Sequence, residues 1–286
     1  MPASLSASHA VDLPTVRSIP MLKPLEWLAL AWKDICRAPQ ISLAHGVFLT
    51  LVGWSILALG HNRFWLMAGA LSGFLIVGPL VATSLYAISR ALERGEPVTW
   101  HTVWNTWSRW QLVRSRREGG YWCLVRFGLL LALAATGWVV VSASLITVLS
   151  PVHIATPMDF VQQVVLAPDN RLFCLWLGLG SVLAAPIFAS SVVSMSLLLD
   201  RRVSVNQAVL TSWMVVLENP VAMAWWAGLI LLFTLLGLGS LLLGLVVVMP
   251  MLGHASWHAY RDLVDASAFA ARDLSGTLEE GRSRGS

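Results

Sequence analysis

Residues 121–149 read YWCLVRFGLLLALAATGWVVVSASLITVL, a stretch that contains one arginine and no acidic residue. A helix of about 20 apolar residues can cross the hydrocarbon core of a bilayer, because it satisfies its own backbone hydrogen bonds where water is absent. Similar apolar runs occupy most of the chain between Ile41 and Tyr260. The sequence therefore predicts an all-α polytopic membrane protein.

The composition of the 286-residue chain favours lipid as its solvent. Charged residues make up 12% of the chain, whereas a typical soluble domain has about 25%. The formal net charge of +4 does not indicate a nucleic-acid partner, because the basic residues are spread over the connections that flank the apolar runs. The three cysteines have no CxxC spacing, so neither a disulfide framework nor a zinc site is predicted.

Six apolar runs are long enough to be transmembrane helices. The last two are separated only by residues 237–240, so a single helix of about 40 residues is the alternative there. Such a helix would be about 60 Å long, twice the hydrocarbon thickness, and a tight hairpin at the glycines fits the bilayer better. The predicted spans are Ile41–Leu59, Phe64–Leu92, Tyr121–Leu149, Phe173–Leu199, Val221–Leu238 and Leu241–Tyr260.

The basic residues predict an orientation for these spans. In a six-span arrangement, sixteen of the nineteen lysines and arginines fall in the two tails and in the second and fourth connections, on one side of the membrane. The positive-inside rule places that side and both termini in the cytoplasm. We expect disordered tails at residues 1–22 and 266–286 and a single transmembrane domain at residues 23–265.

An internal repeat is indicated when Pro79 is aligned with Pro186, because charged residues that follow the two apolar runs then coincide. A third, shorter copy starts at Pro250. This pattern predicts a three-fold tandem repeat of helical hairpins, each preceded by an interfacial amphipathic helix. Repeats are common in transporters, but they also arise by duplication in other membrane proteins.

A tryptophan stripe marks the connection after the second predicted span. Trp100, Trp104, Trp107 and Trp110 recur at helical spacing, and arginines follow them. Such a helix can lie in the headgroup plane of an anionic leaflet with its rings towards lipid. Alternatively, the helix is tucked under the bundle and its tryptophans pack on the first spans.

A histidine stripe lies near the end of the last predicted span. His254 and His258 are four residues apart and share a helix face, which Arg261 and Asp262 continue. We consider a polar network at the cytoplasmic end of the bundle, contact with a lipid or ligand headgroup, and a metal or haem site, for which the two histidines are weak candidates. The HExxH protease pattern is absent, and no cofactor is predicted. In the network, the expected partners of the stripe are Arg90, Asp200 and Arg201.

Several short motifs are spread along the chain: Pro24-Leu25-x-Trp27, Ala38-Pro39, Gly78-Pro79, Glu93-Arg94-Gly95-Glu96-Pro97, Leu197–Asp200 and the closing Gly253–Asp262. Together they resemble a family of bacterial integral membrane proteins, domain of unknown function 2189 (DUF2189), over about residues 17–265. The resemblance implies a multi-pass protein of the inner (cytoplasmic) membrane and supplies no catalytic residue.

The functional expectation follows from the absence of a recognisable reaction centre. No paired carboxylates, Ser–His–Asp set or phosphate-binding loop occurs in the sequence. We therefore expect a protein that is not an enzyme and that interacts with the lipid bilayer or with partner membrane proteins. A transporter or permease-like module is the alternative, and a haem- or metal-associated protein using His254 and His258 ranks third.

Overall fold

The computed structural model describes residues 13–60, 81–112, 122–152, 154 and 156–272, and these are mostly helical. Two short strands, β1 and β2, pair in antiparallel register, with Thr15 opposite Asp265 and Val16 opposite Val264. A single π-helical turn covers Val161–Val165. In chain order the elements are β1 (Thr15–Val16), α1 (Lys23–Arg37), α2 (Pro39–Gly60), α3 (residues 81–93), α4 (Trp100–Leu112), α5 (Trp122–Leu149), α6 (Pro157–Phe160), α7 (Arg171–Ser191), α8 (Ser194–Asp200), α9 (Val205–Glu218), α10 (Pro220–Gly239), α11 (Leu245–Leu263) and β2 (Val264–Asp265).

Local sequence signals explain where several helices begin. Pro39 and Pro220 open α2 and α10, and proline suits a first turn because its missing N–H would have no helical partner there. Helix α9 begins with a capping box, in which Ser204 and Gln207 each accept the other's backbone N–H. These signals divide the chain into short amphipathic helices (α1, α9) and the long apolar helices that follow them directly.

Four helices in the described ranges are long and apolar enough to cross a membrane: Pro39–Ala58, Cys123–Leu149, Arg171–Asp200 and Pro220–Gly239. They correspond to four of the six predicted spans. Only 6% of the most apolar 18-residue stretch of α5 is buried inside the protein. Soluble proteins seldom expose apolar patches larger than a few hundred Å², so this surface of α5 is suited to contact with the hydrocarbon core of a bilayer.

The other two predicted spans are not confirmed. Of Phe64–Leu92, residues 64–80 lie outside the described residues, and residues 81–92 belong to α3. The predicted span Leu241–Tyr260 corresponds to α11, which is not among the four candidates because histidines and charged residues occupy its C-terminal half. The predicted three-fold repeat is likewise not confirmed, although an amphipathic helix precedes a long apolar helix three times, in the pairs α1–α2, α4–α5 and α9–α10.

Helices α10 and α11 are separate, and a tight turn joins them. Leu241 and Leu242 have φ of 56° and 70°, a left-handed conformation that is uncommon for residues other than glycine. Helix α2 holds this turn in place: Thr50 Oγ1 donates to the carbonyl of Leu242 at 3.1 Å, and Trp54 Nε1 donates to that of Leu241 at 2.8 Å. Side chains of α2 therefore fix the turn that joins α10 to α11.

Helices α2 and α11 run antiparallel at unusually close range. A Cβ atom at Gly46 would overlap the backbone carbonyl of Val246, and one at Gly53 would lie 2.9 Å from a methyl group of Leu242. Small residues let membrane helices approach until their backbones touch. Glycine at 46 is therefore a requirement of this crossing.

One end of the bundle, called the polar end below, collects the termini of most helices. Here α3, α8 and α11 end, while α2, α5 and α10 begin. Asn219 accepts from Ile19 N–H at 2.8 Å and donates to the carbonyl of Arg17, which ties the chain before α1 to the start of α10. Arg272 N–H donates to the carbonyl of Asp200 at 2.7 Å. The contacts thus extend beyond the predicted domain limits of 23 and 265, because β1 and residues 266–272 pack against the helix ends.

We expect Gly46→Ala to lower the midpoint of thermal unfolding in detergent, because the added methyl group pushes α2 away from α11. Overpacking of this kind costs about 1–3 kcal/mol. The control is Gly228→Ala in α10, where a Cβ meets nothing within 4 Å and alanine should leave the midpoint unchanged or raise it. Equal midpoints for Gly46→Ala and the wild type would contradict the close crossing.

Candidate functional site at the polar end of the bundle

A chain of hydrogen bonds crosses the polar end from α11 to α1, α3 and α2. We call it the histidine chain; its members are His258, Asp34, Ser89, His254 and Ser42. Asp34 accepts from His258 Nε2 at 2.8 Å and from Ser89 Oγ at 2.7 Å. Ser89 Oγ also lies 2.7 Å from His254 Nδ1, and His254 Nε2 lies 3.0 Å from Ser42 Oγ. Four helices are thereby joined by side chains that are almost all buried.

The partners determine the direction of every bond in this chain. Ser89 has one hydroxyl proton and donates it to the Asp34 carboxylate, so the same oxygen must accept from His254 Nδ1–H. In a neutral ring Nε2 is then an acceptor, and Ser42 donates its proton to it. The donor-to-acceptor sequence runs from Ser42 through His254 and Ser89 and ends on the carboxylate of Asp34.

The second buried histidine, His45, can bond in both of its charge states. Its Nδ1 lies 2.7 Å from the carbonyl of Ile41, which only accepts, so Nδ1 carries a proton. Its Nε2 lies 2.7 Å from Ser84 Oγ, which is also 2.7 Å from the carbonyl of Val81. If Ser84 donates to Val81, Nε2 must carry a proton as well and the ring is a cation; if Ser84 donates to Nε2, the ring is neutral. The site therefore accommodates a proton without breaking the ring's contacts.

Asp34 supplies the negative charge of the histidine chain. Burial raises the pKa of this carboxyl, but hydrogen bonds from His258 and Ser89 outweigh that effect, and the pKa falls below its ordinary value of 3.8. Asp34 is only 4% exposed. A buried carboxylate is tolerated because its oxygens are bonded to donors.

A second cluster surrounds Asp200 at the end of α8. One oxygen accepts from Arg90 Nε at 2.9 Å and from Arg94 at 3.3 Å, and the other accepts from Arg201 Nε at 3.0 Å and from Tyr260 Oη at 2.9 Å. The side chains of Arg90 and Asp200 are each 3% exposed. This carboxylate therefore joins α3, α8 and α11 through charge-assisted bonds.

Arg261 and Asp262, near the C-terminal end of α11, bond to side chains of neighbouring helices. Arg261 and Trp257 both donate to Glu93 at 2.9 Å, and Asp262 accepts from Trp27 Nε1 at 2.8 Å. These contacts attach the last turns of α11 to α3 on one side and to α1 on the other.

The structure places the predicted site residues in three groups rather than one network, with Arg261 and Asp262 bonded to Glu93 and Trp27 apart from the other two groups. Arg90, Asp200 and Arg201 lie together, but His254 and His258 bond to Asp34, Ser89 and Ser42, which the sequence reasoning missed. Asp34 had a recognisable signal: it is an acidic residue on the apolar stripe that Trp27, Ala31 and Ile35 form along α1. Nothing comparable distinguishes Ser42 and Ser89 from other serines.

His254 and His258 do not form a metal site with other described residues. Among the described residues, no group of three or more histidine, cysteine, aspartate or glutamate side chains could hold a metal ion. Both ring nitrogens of His254 already face serine hydroxyl groups. This geometry does not favour the metal or haem interpretation of His254 and His258.

Trp100 and Trp104, the first two members of the tryptophan stripe, lie on the outside of α4. Trp100 and Trp104 are 57% and 65% exposed, whereas Val103 and Thr106 are buried. Val103 packs with Ile41 of α2 and Ile88 of α3, so α4 is attached to the bundle through Val103 while the two rings stay exposed beside it. Trp107 and Trp110 belong to α4, but their side chains lie outside the described residues.

The apolar surface of the long helices and the polar contacts at their ends define a helical integral membrane protein. A family model described as predicted integral membrane protein (DUF2189) matches residues 66–200. This match confirms, over residues 66–200, the resemblance seen in the sequence. No curated protein and no solved structure matches the chain.

Replacing Asp34 with asparagine should destabilise the protein by roughly 2 kcal/mol at neutral pH, because His258 and Ser89 lose the carboxylate they bond to. The folded-state pKa of Asp34 is depressed, so its stabilisation is present above about pH 4 and is lost as the pH falls through the lower folded value. The test is to measure the midpoint of thermal unfolding in detergent from pH 7 to pH 3. The difference in midpoint between the wild type and Asp34→Asn should become smaller below pH 4.

Glu26→Gln is the matched control, since Glu26 lies on the same helix and its bond to Lys23 is exposed. The free energy of unfolding of that variant should stay within about 0.5 kcal/mol of the wild-type value. If Asp34→Asn destabilises the protein no more than Glu26→Gln does, the histidine chain does not stabilise the fold.

Proposed function

We propose that this chain is a six-span protein of the bacterial inner membrane that catalyses no reaction and acts through contacts with lipid and with partner membrane proteins on its cytoplasmic side. The observation that carries the proposal is the exposure of Trp100 and Trp104 on an amphipathic helix that is attached to the bundle through the buried Val103. Exposed rings of this kind favour the headgroup region of a bilayer.

The positions of the helix ends support six crossings. Each of the four candidate spans, α2, α5, α7–α8 and α10, has one end at the polar end of the bundle and the other at the opposite end. Helix α3 ends at the polar end, where Ser89 meets His254, so the chain must return there between α2 and α5. Helix α11 runs back from the turn held by Thr50 to β2 beside β1, and it therefore covers the same depth as α10 in the opposite direction.

Charge supports a cytoplasmic polar end and cytoplasmic termini. Lysines and arginines concentrate at this end, among them Lys23, Arg90, Arg94, Arg201, Arg202, Arg261 and Arg272. Basic residues next to the ends of membrane helices are typical of the cytoplasmic face, and this rule counts lysines and arginines rather than net charge. We retain the three-fold tandem repeat as a proposal, supported by the recurring order of amphipathic and apolar helices.

The histidine chain and the Asp200 cluster fit a structural role in this proposal. Their donors and acceptors bond mostly to one another, which closes the bundle at its wet end and fixes α1 against α11. In this role the predicted site residues stabilise the fold that holds α4 at the surface. They are His254, His258, Arg261, Asp262, Arg90, Asp200 and Arg201.

A permease-like module is the second candidate, and the buried His45 and His254 favour it. Ionisable groups at membrane depth are commonly part of an ion or substrate path. Proteoliposomes that show no proton or solute flux above protein-free vesicles would remove this candidate.

The six-span arrangement predicts that a reporter enzyme fused after Ser286 is active in the cytoplasm, and that one inserted after Ser150, beyond α5, is active in the periplasm. An opposite result at either position would overturn the orientation. Positive charge at the polar end is the physical reason for the expectation.

Contact between α4 and lipid predicts that Trp100→Phe combined with Trp104→Phe removes a measurable part of the tryptophan quenching caused by anionic phospholipids brominated close to the headgroup. The control is Trp27→Phe combined with Trp226→Phe, because both of these rings are at most 1% exposed. If the buried pair accounts for as much quenching as the α4 pair, α4 does not contact lipid.

A further inference from the structure

A groove of about 590 Å³ lies where α4 crosses α2 and α3. The volume is within the range of about 300–1,000 Å³ found for small-ligand sites. Ala44 and Phe48 of α2, Val81 of α3 and Val103 of α4 form its apolar floor, which we call the groove floor. The groove is therefore bounded by a candidate membrane span on one side and by the tryptophan-bearing helix on the other.

The groove floor is continuous with the lipid-facing surface of α2. Phe48 is 46% exposed, and the neighbouring Val47 and Leu51 are also exposed. A lipid chain can thus enter the groove sideways from the bilayer without crossing a polar barrier.

The rim of the groove carries side-chain hydrogen-bond donors. The indole N–H groups of Trp100 and Trp104 have no hydrogen-bond partner among the described residues. His101 Nδ1 accepts from the Asn105 amide at 3.0 Å, so in the neutral ring Nε2 carries the proton and donates. Three donors therefore stand at the groove mouth, all on α4.

This combination identifies the class of ligand. The phosphodiester and ester oxygens of a phospholipid only accept hydrogen bonds, as the rim requires, and its chain is apolar, as the floor requires. A peptide segment would present backbone donors together with acceptors, and the three rim side chains offer no acceptor to match them. The surrounding bilayer also supplies phospholipid at high local concentration.

We infer that this groove binds one phospholipid from the cytoplasmic leaflet, with an acyl chain on Ala44, Phe48 and Val103 and with headgroup oxygens at Trp100, His101 and Trp104. The inference deepens the proposed function, on which it rests, by turning general contact with the bilayer into a site for a single molecule. His45 also lines the groove, so a bound acyl chain would lie against this buried histidine.

Native mass spectrometry of the full chain, purified in mild detergent, tests the inference. The wild type should retain one phospholipid per protein. Ala44→Phe fills the groove floor and should reduce that retention by about tenfold, which corresponds to about 1.4 kcal/mol of binding free energy. The matched control is Ala184→Phe on α7, where the alanine is exposed and distant in sequence from the groove; this variant should retain the lipid.

A second variant covers the case in which Ala44→Phe does not fold. Trp100→Phe with Trp104→Phe keeps two rings at the surface but removes two rim donors, so lipid retention should fall while the unfolding midpoint stays the same. Wild-type protein without stoichiometric lipid, undiminished retention in both groove variants, or a second protein chain bound in the groove would each overturn the inference.

The result can be separated from that of the proposed function. Quenching of Trp100 and Trp104 by brominated lipid without any retained phospholipid would reject the groove site and leave the contact of α4 with the bilayer intact. Absence of both signals would reject both.

Discussion

The arrangement depends on one constraint: polar groups on the last helix are buried, and each must find a partner. Helix α11 brings His254, His258 and Tyr260 into the packed end of the bundle, where an unbonded polar group costs about 1–3 kcal/mol. Asp34, Ser89 and Asp200 meet this requirement from three other helices. The relative positions of α1, α3, α8 and α11 follow from these bonds, since each partner has to reach a particular atom.

Apolar packing alone would not select this arrangement. Helices surrounded by lipid gain little by exchanging lipid contacts for one another, so close backbone approach and directional bonds decide which helices pair. The α2–α11 crossing uses both: Gly46 allows the backbones to touch, while Ser42 and Thr50 bond to His254 and to the turn at Leu242 on either side of it. The two helices are thus held at both ends and in the middle.

Much of the membrane architecture could be predicted from the sequence, because a long apolar run has one common solution in lipid. The stretch 121–149 and the break between α10 and α11 are examples, and the tryptophan spacing at Trp100 and Trp104 indicated the amphipathic helix α4. The partners of the histidines could not be predicted. Asp34, Ser89 and His254 are separated by 55 and 165 residues along the chain, and their meeting is a property of how the helices pack. The resemblance to a family of integral membrane proteins described the class without supplying these contacts.

The pairing of β1 with β2, and of Asn219 with the chain before α1, has a consequence for biogenesis. The first and last described segments of the protein lie against each other, although more than two hundred residues are translated between them. When the early helices have entered the bilayer, His258 has not yet been translated, and Asp34 still lacks the hydrogen bond that His258 donates to it in the folded protein. The contacts between α1 and α11 can therefore form only after the last helix has been translated, and α1 docks late in folding although it is made early.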